Sequence, residues 1–212
     1  MDLKLVVFDM AGTTVEATDQ VPAAFAAAFR PLDIVLAAHE ISAIRGKAKR
    51  EAIATLLDRY RAGAVTPMLV DQVYADFQRI LADYYTQGGV RPIEGAAETL
   101  RWLRAQGIKT ALSTGFDRTL VDLLLAQLGW QTITDVVVCN DDVPKGRPAP
   151  YLLFRAMEWT NTYAVQQVAA VGDTVADLEA ARNAGVGWSI GVLSGAHGVE
   201  QLRAYPHTAL LA

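Results

Sequence analysis

The chain has 212 residues, 52% hydrophobic and 20% charged, with a formal net charge of −4 and a single cysteine, Cys139. This length suits one large domain or a domain with an insertion, and a chain of this size buries roughly 70% of its unfolded surface without covalent staples. One cysteine excludes an intramolecular disulfide, the acidic balance gives no electrostatic case for nucleic acid or an anionic membrane, no apolar run reaches a membrane span, and Met1-Asp2-Leu3 lacks the features of a signal peptide, so the sequence reads as a cytoplasmic protein.

Leu3 to Phe8 is a short apolar run interrupted by one lysine, and it reads as a strand buried on both faces. It ends in Asp9, followed by Met10-Ala11-Gly12-Thr13-Thr14. An acid at the carboxyl end of a central parallel strand lies where open α/β sheets bind ligands; the alternative is an Asp that only starts a turn. Pro22 then suits the first turn of a helix over Ala23 to Phe29, which Pro31 ends. A second helical stretch covers Leu36 to Ile44 and stops at Gly46. A third runs from Lys47 to Tyr60, with Ile53, Leu56 and Leu57 on one side. Pro67 opens a fourth, with Leu69, Val73, Phe77, Ile80, Leu81 and Tyr84 at helical spacing, and Gly88-Gly89 closes it. No strand signal occurs in residues 16–90.

Beyond Pro92 the chain alternates. Helices are expected over Glu94–Gln106, Asp117–Leu128, Pro150–Trp159 and Val175–Ala184, with Gly107, Gly129 and Gly185 as stops and Asp117 as an N-cap. Strands are expected over Ile108–Leu112, Asp135–Cys139, Val168–Val171 and Trp188–Val192. Such alternation implies a doubly wound parallel sheet with right-handed crossovers. The first strand belongs to this sheet, because alone it cannot bury itself. The expected organisation is an α/β core of residues 1–15 and 91–212, with an all-helical insertion of residues 16–90 linked near Glu16–Gln20 and Gly88–Pro92.

The polar clusters all follow strands. Asp9 ends the first, Ser113-Thr114-Gly115 the second, and Asp173 the strand before the helix that carries Asp177. Parallel strands bring these ends to one edge. Carboxylates gathered in one crevice raise each other's pKa unless a cation sits among them, and oxygen donors without a His or Cys cluster suit Mg²⁺. For Asp177 a helix-dipole role competes with a metal role. Ser113-Thr114-Gly115 offers hydroxyls and backbone N–H groups to a phosphoryl group. In the loop Asn140–Pro148, Arg147 can bridge phosphate and carboxylate bidentately, and Lys145 reads as a solvated charge.

Phe8-Asp9-Met10-Ala11-Gly12-Thr13, Ser113-Thr114-Gly115, Arg147-Pro148 and Gly172-Asp173-Thr174-Val175-Ala176-Asp177 together resemble the four motifs of the haloacid dehalogenase superfamily, in the family's order. The helical insertion matches that family's cap, and Asp141-Asp142-Val143-Pro144 with Gly146-Arg147-Pro148 looks like its phosphonatase branch. The resemblance implies a Rossmann-like hydrolase core. It implies Asp9 as a nucleophile forming an aspartyl-phosphate, Mg²⁺ on Asp9, the Ala11 carbonyl and Asp173 with Asp177 beside them, and Arg147 orienting Asp9. The phosphate site would comprise Ser113, Thr114 and Gly115 with Gly12 and Thr13. Most phosphatases of the superfamily carry an acid/base Asp where this chain has Ala11. The phosphonatases share that Ala and condense a cap lysine with an aldehyde substrate. Lys49, three after Gly46, stands at the matching place, with Lys47 as its rival. Arg45 and Ala52 depart from the branch, which has Met and His there. His39, His197 and His207 read as surface or loop residues. The expected substrate is a small phosphonate or phosphorylated compound. Its hydrolysis would be C–P cleavage of a phosphonoacetaldehyde-like molecule or, alternatively, phosphomonoester cleavage; a non-catalytic phosphate sensor is a third reading. The expected state is monomer or homodimer.

Overall fold

The structure, a computed structural model, describes residues 2–16 and 19–212. Six strands form one parallel sheet: β1 (Leu5–Asp9), β2 (Lys109–Ser113), β3 (Val136–Val138), β4 (Val168–Gly172), β5 (Trp188–Val192) and β6 (Ala209–Leu211), in the spatial order β3-β2-β1-β4-β5-β6. The first strand is central because it is apolar on both faces. Leu5 and Val7 pack against one side of the sheet, and Val6 faces Leu103 and Ala169 on the other. Its register pairs Asp9 with Ser113 of β2 and Phe8 with Val171 of β4, so the chain just beyond β4 lies level with Asp9.

Helices α1 (Gln20–Phe29), α2 (Ala38–Ala43), α3 (Lys49–Tyr60) and α4 (Pro67–Gly88) intervene between β1 and the rest of the sheet. Thr66 caps α4 by accepting from Leu69 N–H at 3.2 Å, and Pro67 fills the first helical position. The buried face of α4 is Val70, Val73, Phe77, Leu81 and Tyr85. This replaces the face expected from spacing at its far end, where Tyr84 is only partly buried. The steps of four from Val73 to Tyr85 follow an i, i+4 ridge, and α1 presents Ala24 with Ala28 and Phe25 with Phe29 in the same spacing. The alanine run is therefore more than a helix former. Its small side chains bring α1 against α4, where Phe25 and Phe77 sit with ring centroids 4.5 Å apart.

Around the sheet lie α5 (Ala96–Ala105), α6 (Arg118–Leu128), α7 (Tyr151–Trp159), α8 (Val175–Ala184) and α9 (Val199–Arg203). Asp117 caps α6 by accepting from Leu120 N–H at 3.0 Å, and Gly129 and Gly185 end α6 and α8 in the left-handed conformation. Sequence reasoning does not find α9 or β6, which are five and three residues long and too short to show a period. Of the linkers, Ala17 and Thr18 lie outside the described residues. The remainder pairs with itself: Glu16 N–H donates to Arg91 O at 2.9 Å, Ile93 N–H donates to Thr14 O at 3.0 Å, and Val15 bridges Pro92. Among the described residues no helix is long and apolar enough to cross a membrane.

Candidate active site

The carboxyl ends of β1, β2 and β4 meet the insertion at a small cavity of about 60 Å³. The core contributes Asp9, Ala11, Thr114, Gly115, Arg147 and Asp173 to its wall, and the insertion contributes Pro22, Arg45, Lys49 and Tyr85. Arg147 organises the core side. Its Nη1 donates to Asp9 Oδ1 at 2.6 Å, its Nε pairs with Asp177 Oδ1 at 3.0 Å, and its Nη2 donates to Ser113 Oγ at 2.7 Å and Ser113 O at 3.0 Å. Buried guanidinium and carboxylates of this kind are held by the fork geometry that only Arg supplies.

Carboxylate oxygens of Asp9, Asp173 and Asp177 lie within 4.8 Å of one another, all buried. Burial pushes the Asp9 carboxyl up to about 8; Arg147 opposes the shift, and Asp177 and Asp173 reinforce it. Burial, then Asp177, pushes Asp173 up to about 6 against hydrogen bonds from Ala196 N–H and the Thr13 hydroxyl. These acids are short of positive charge, and the cluster is all oxygen. Such a donor set fits a hard divalent cation. Asp177 itself is already engaged on both oxygens. Oδ1 faces Arg147, while Oδ2 accepts from Thr174 N–H at 3.0 Å and from the Thr174 hydroxyl in a reciprocal capping box that starts α8.

The residues expected to bind phosphate divide. Thr114 and Gly115 line the cavity. Ser113 does not, because its hydroxyl and carbonyl both hold Arg147. Neither Gly12 nor Thr13 lines it either. The Thr13 hydroxyl donates to Asp173 Oδ1 at 3.2 Å, and Gly12, at φ +97°, leaves room for Asp173, whose Oδ2 would stand 2.4 Å from a β-carbon. These three residues set the acids and the arginine rather than form the cavity wall. Lys145 is exposed.

From the insertion, the segment between α2 and α3 delivers Lys49, the first residue of α3. A partly exposed network braces the two helices: Glu40 accepts from Ala37 N–H and Arg59 Nη1, each at 2.9 Å, and from the Tyr60 hydroxyl, joining α2 to the end of α3. Lys49 Nζ donates to Lys47 O at 3.2 Å and lies 5.4 Å from the centroid of the Phe116 ring. Burial pushes the amine down to about 8, with Arg147 acting in the same direction and Asp9, Asp177 and Asp173 against it. Lys47 is exposed, so the two lysines are distinguished by position. His197 is buried rather than superficial, and its Nδ1 accepts from Val175 N–H at 2.9 Å. Sequence reasoning misses Tyr85, whose place on α4 gives only a helix-core signal.

The model of the haloacid dehalogenase-like hydrolase family matches residues 3–185. The chain belongs to that family. A phosphonoacetaldehyde hydrolase of Bacillus cytotoxicus is 31% identical to this hydrolase over 206 residues, covering 92% of this chain and 77% of the relative. Among solved structures, a hydrolase from Pseudomonas syringae shares the fold with a TM-score of 0.87 at 22% identity, covering 98% of this chain and 92% of that one. A phosphonoacetaldehyde hydrolase-like protein from Oleispira antarctica shares it with a TM-score of 0.81 at 24% identity, covering 97% and 79%. The hydrolase thus has the family's parallel core and an acid cluster suited to a metal ion.

Proposed function

We propose that this hydrolase cleaves the C–P bond of a phosphonoacetaldehyde-like substrate, with Mg²⁺ at the acid cluster, Asp9 as nucleophile and Lys49 as the imine-forming amine. One observation carries the reading: a buried lysine, with its pKa lowered to about 8, shares a cavity with Asp9. At its usual pKa a lysine is protonated and cannot add to a carbonyl; burial leaves a useful neutral fraction near neutral pH. The cavity's size supports a small substrate, since about 60 Å³ accommodates only a handful of water-sized groups.

In this reading Asp9, Asp173 and the Ala11 carbonyl hold the cation, and Asp177 keeps Arg147 aimed at Asp9. When bound, the cation neutralises the acids and the phosphonate oxygens. Thr114 and Arg147 receive the phosphonate. Lys49 Nζ adds to the aldehyde carbon and water leaves, giving an iminium. An Asp9 oxygen attacks phosphorus, and the C–P electron pair moves into the iminium to form an enamine. Protonation at carbon and hydrolysis of the imine release acetaldehyde. Water then cleaves the aspartyl-phosphate, so the net reaction consumes one water and yields acetaldehyde and phosphate. Ala11 suits this route because an electron sink replaces a proton donor to the leaving group.

Borohydride added with phosphonoacetaldehyde and Mg²⁺ tests the assignment. The expected result is a reduced two-carbon adduct on Lys49, found by peptide mapping, and its loss in Lys49→Arg. An adduct on Lys47 would reassign the amine. Brisk phosphate release from ordinary esters without any lysine adduct would replace C–P cleavage by a phosphatase reaction. Ala52 and the absence of an imidazole from the cavity wall among the described residues favour that second reading.

A further inference from the structure

A substrate held by its phosphoryl group on the core side must present its organic part to the insertion. The insertion side of the cavity wall includes Pro22, Arg45, Lys49 and Tyr85. Three side-chain hydroxyls line the wall, those of Thr114, Thr174 and Tyr85. Thr174 is engaged with Asp177, and Thr114 accepts from Phe116 N–H at 3.2 Å beside the phosphoryl position. Tyr85 is only 2% exposed and has no side-chain hydrogen bond among the described residues. Tyr85 itself lines the cavity. A buried tyrosine in the last turns of α4 that lines the cavity and has no side-chain hydrogen bond among the described residues is a group placed to meet a ligand.

We infer that Tyr85 is a specificity residue that donates a hydrogen bond to an oxygen on the organic part of the substrate, two carbons from phosphorus. The inference rests on the proposed reading only in placing the phosphoryl group beside Asp9. Burial pushes the phenol up to about 12, so it remains a protonated donor throughout the working range. A neutral donor discriminates well, because an analogue without the oxygen leaves the hydroxyl unpaired. For a phosphonoacetaldehyde-like substrate the acceptor is the aldehyde oxygen, and the hydrogen bond polarises the carbonyl that Lys49 attacks.

Binding of three probes by calorimetry, each with Mg²⁺, tests the inference: inorganic phosphate, ethylphosphonate and 2-hydroxyethylphosphonate. The wild type should prefer the hydroxyl compound over ethylphosphonate by about tenfold. Tyr85→Phe removes one oxygen from a packed ring. It should abolish that preference while leaving phosphate and ethylphosphonate affinities unchanged. A preference retained in Tyr85→Phe overturns the assignment, as does its loss in Arg45→Met instead, Arg45 being, with Lys49, a further donor on the insertion side. Failure of phosphate and both phosphonates to bind the wild type overturns the phosphoryl site itself, and the Tyr85 assignment with it.

Discussion

Lys49 is costly to the fold, and in the proposed mechanism it is also the amine that attacks the substrate. Its amine is pushed down to about 8 from 10.5 by burial, so below pH 8 the folded protein carries a buried charge that the unfolded chain solvates more favourably. That penalty is at most about 3 kcal/mol. It is fully present below pH 8 and is relieved as pH rises from 8 to 10.5, where the unfolded chain holds a proton that the folded one lacks. Lys49→Met should therefore raise stability by about 1–3 kcal/mol at pH 7, with a gain that shrinks at pH 10, and should lose C–P activity. Denaturant midpoints at the two pH values measure the first effect. Wild-type kcat/KM for C–P cleavage should rise with pH until Lys49 is neutral, near 8. A destabilised Lys49→Met at pH 7, or a flat pH profile, would remove the burial argument. Strand-end reasoning brings Asp9, Thr114 and Asp173 together because parallel register alone aligns them, whereas Arg147 arrives on the loop after β3. It cannot separate Thr114 from Ser113, Gly12 and Thr13, because which neighbour faces the cavity and which braces an acid depends on side-chain direction. Tyr85 is hidden for a related reason: a tyrosine on an apolar helix face looks the same whether its hydroxyl meets solvent, protein or a cavity.

At the level of elements, caps and glycine stops explain why α6 and α8 are legible to the residue, whereas the edge strand β6 follows only after the rest of the sheet exists to pair with it. The segment carrying Lys49 owes its position to close contact with core loops. A β-carbon at Gly146 would stand 2.6 Å from Ala48 Cβ and 2.8 Å from Asn140 Oδ1, and one at Gly115 would stand 2.9 Å from Lys47 O. Gly146 lacks a positive φ, so the requirement there is space alone. Gly146→Ala should push the Lys47–Lys49 segment away from the core without altering the sheet. Displacements approaching 1 Å cost about 100-fold in rate, so kcat/KM should fall by about 10- to 100-fold, with a stability loss of about 1–3 kcal/mol. Wild-type kcat/KM in Gly146→Ala would mean that Lys49 does not depend on this contact.

For the whole molecule, alternation of strand and helix is enough to specify a parallel sheet, and residues 16–90, which lack strand signals, hold only helices and turns among the described residues. How the two parts meet is not written in any local pattern. It arises from an apolar cluster that runs from Phe25, Phe77 and Leu81 of the insertion to Met10, Phe116 and Leu124 of the core, with the Tyr74 hydroxyl donating to Asp117 Oδ2 at 3.4 Å. The cavity lies in that junction, so a swing of the insertion away from the core would widen the route for substrate and product. The chain crosses between the parts twice, and the crossings are paired at Glu16–Arg91 and Val15–Pro92, which favours rotation about one axis near Gly88–Pro92. In the proposed reading, phosphate held beside a cation would draw Lys49 and Arg45 across the junction and so favour closure. Solution scattering should give a smaller radius of gyration for the protein with Mg²⁺ and phosphate than with a chelator. The Asp9→Asn variant with Mg²⁺ and phosphonoacetaldehyde should scatter like the closed form while turning over at least about 10³-fold more slowly. Chelation should abolish activity, and added Mg²⁺ should restore it. Identical scattering in every state would rule out the swing, and full turnover after exhaustive chelation would rule out the cation.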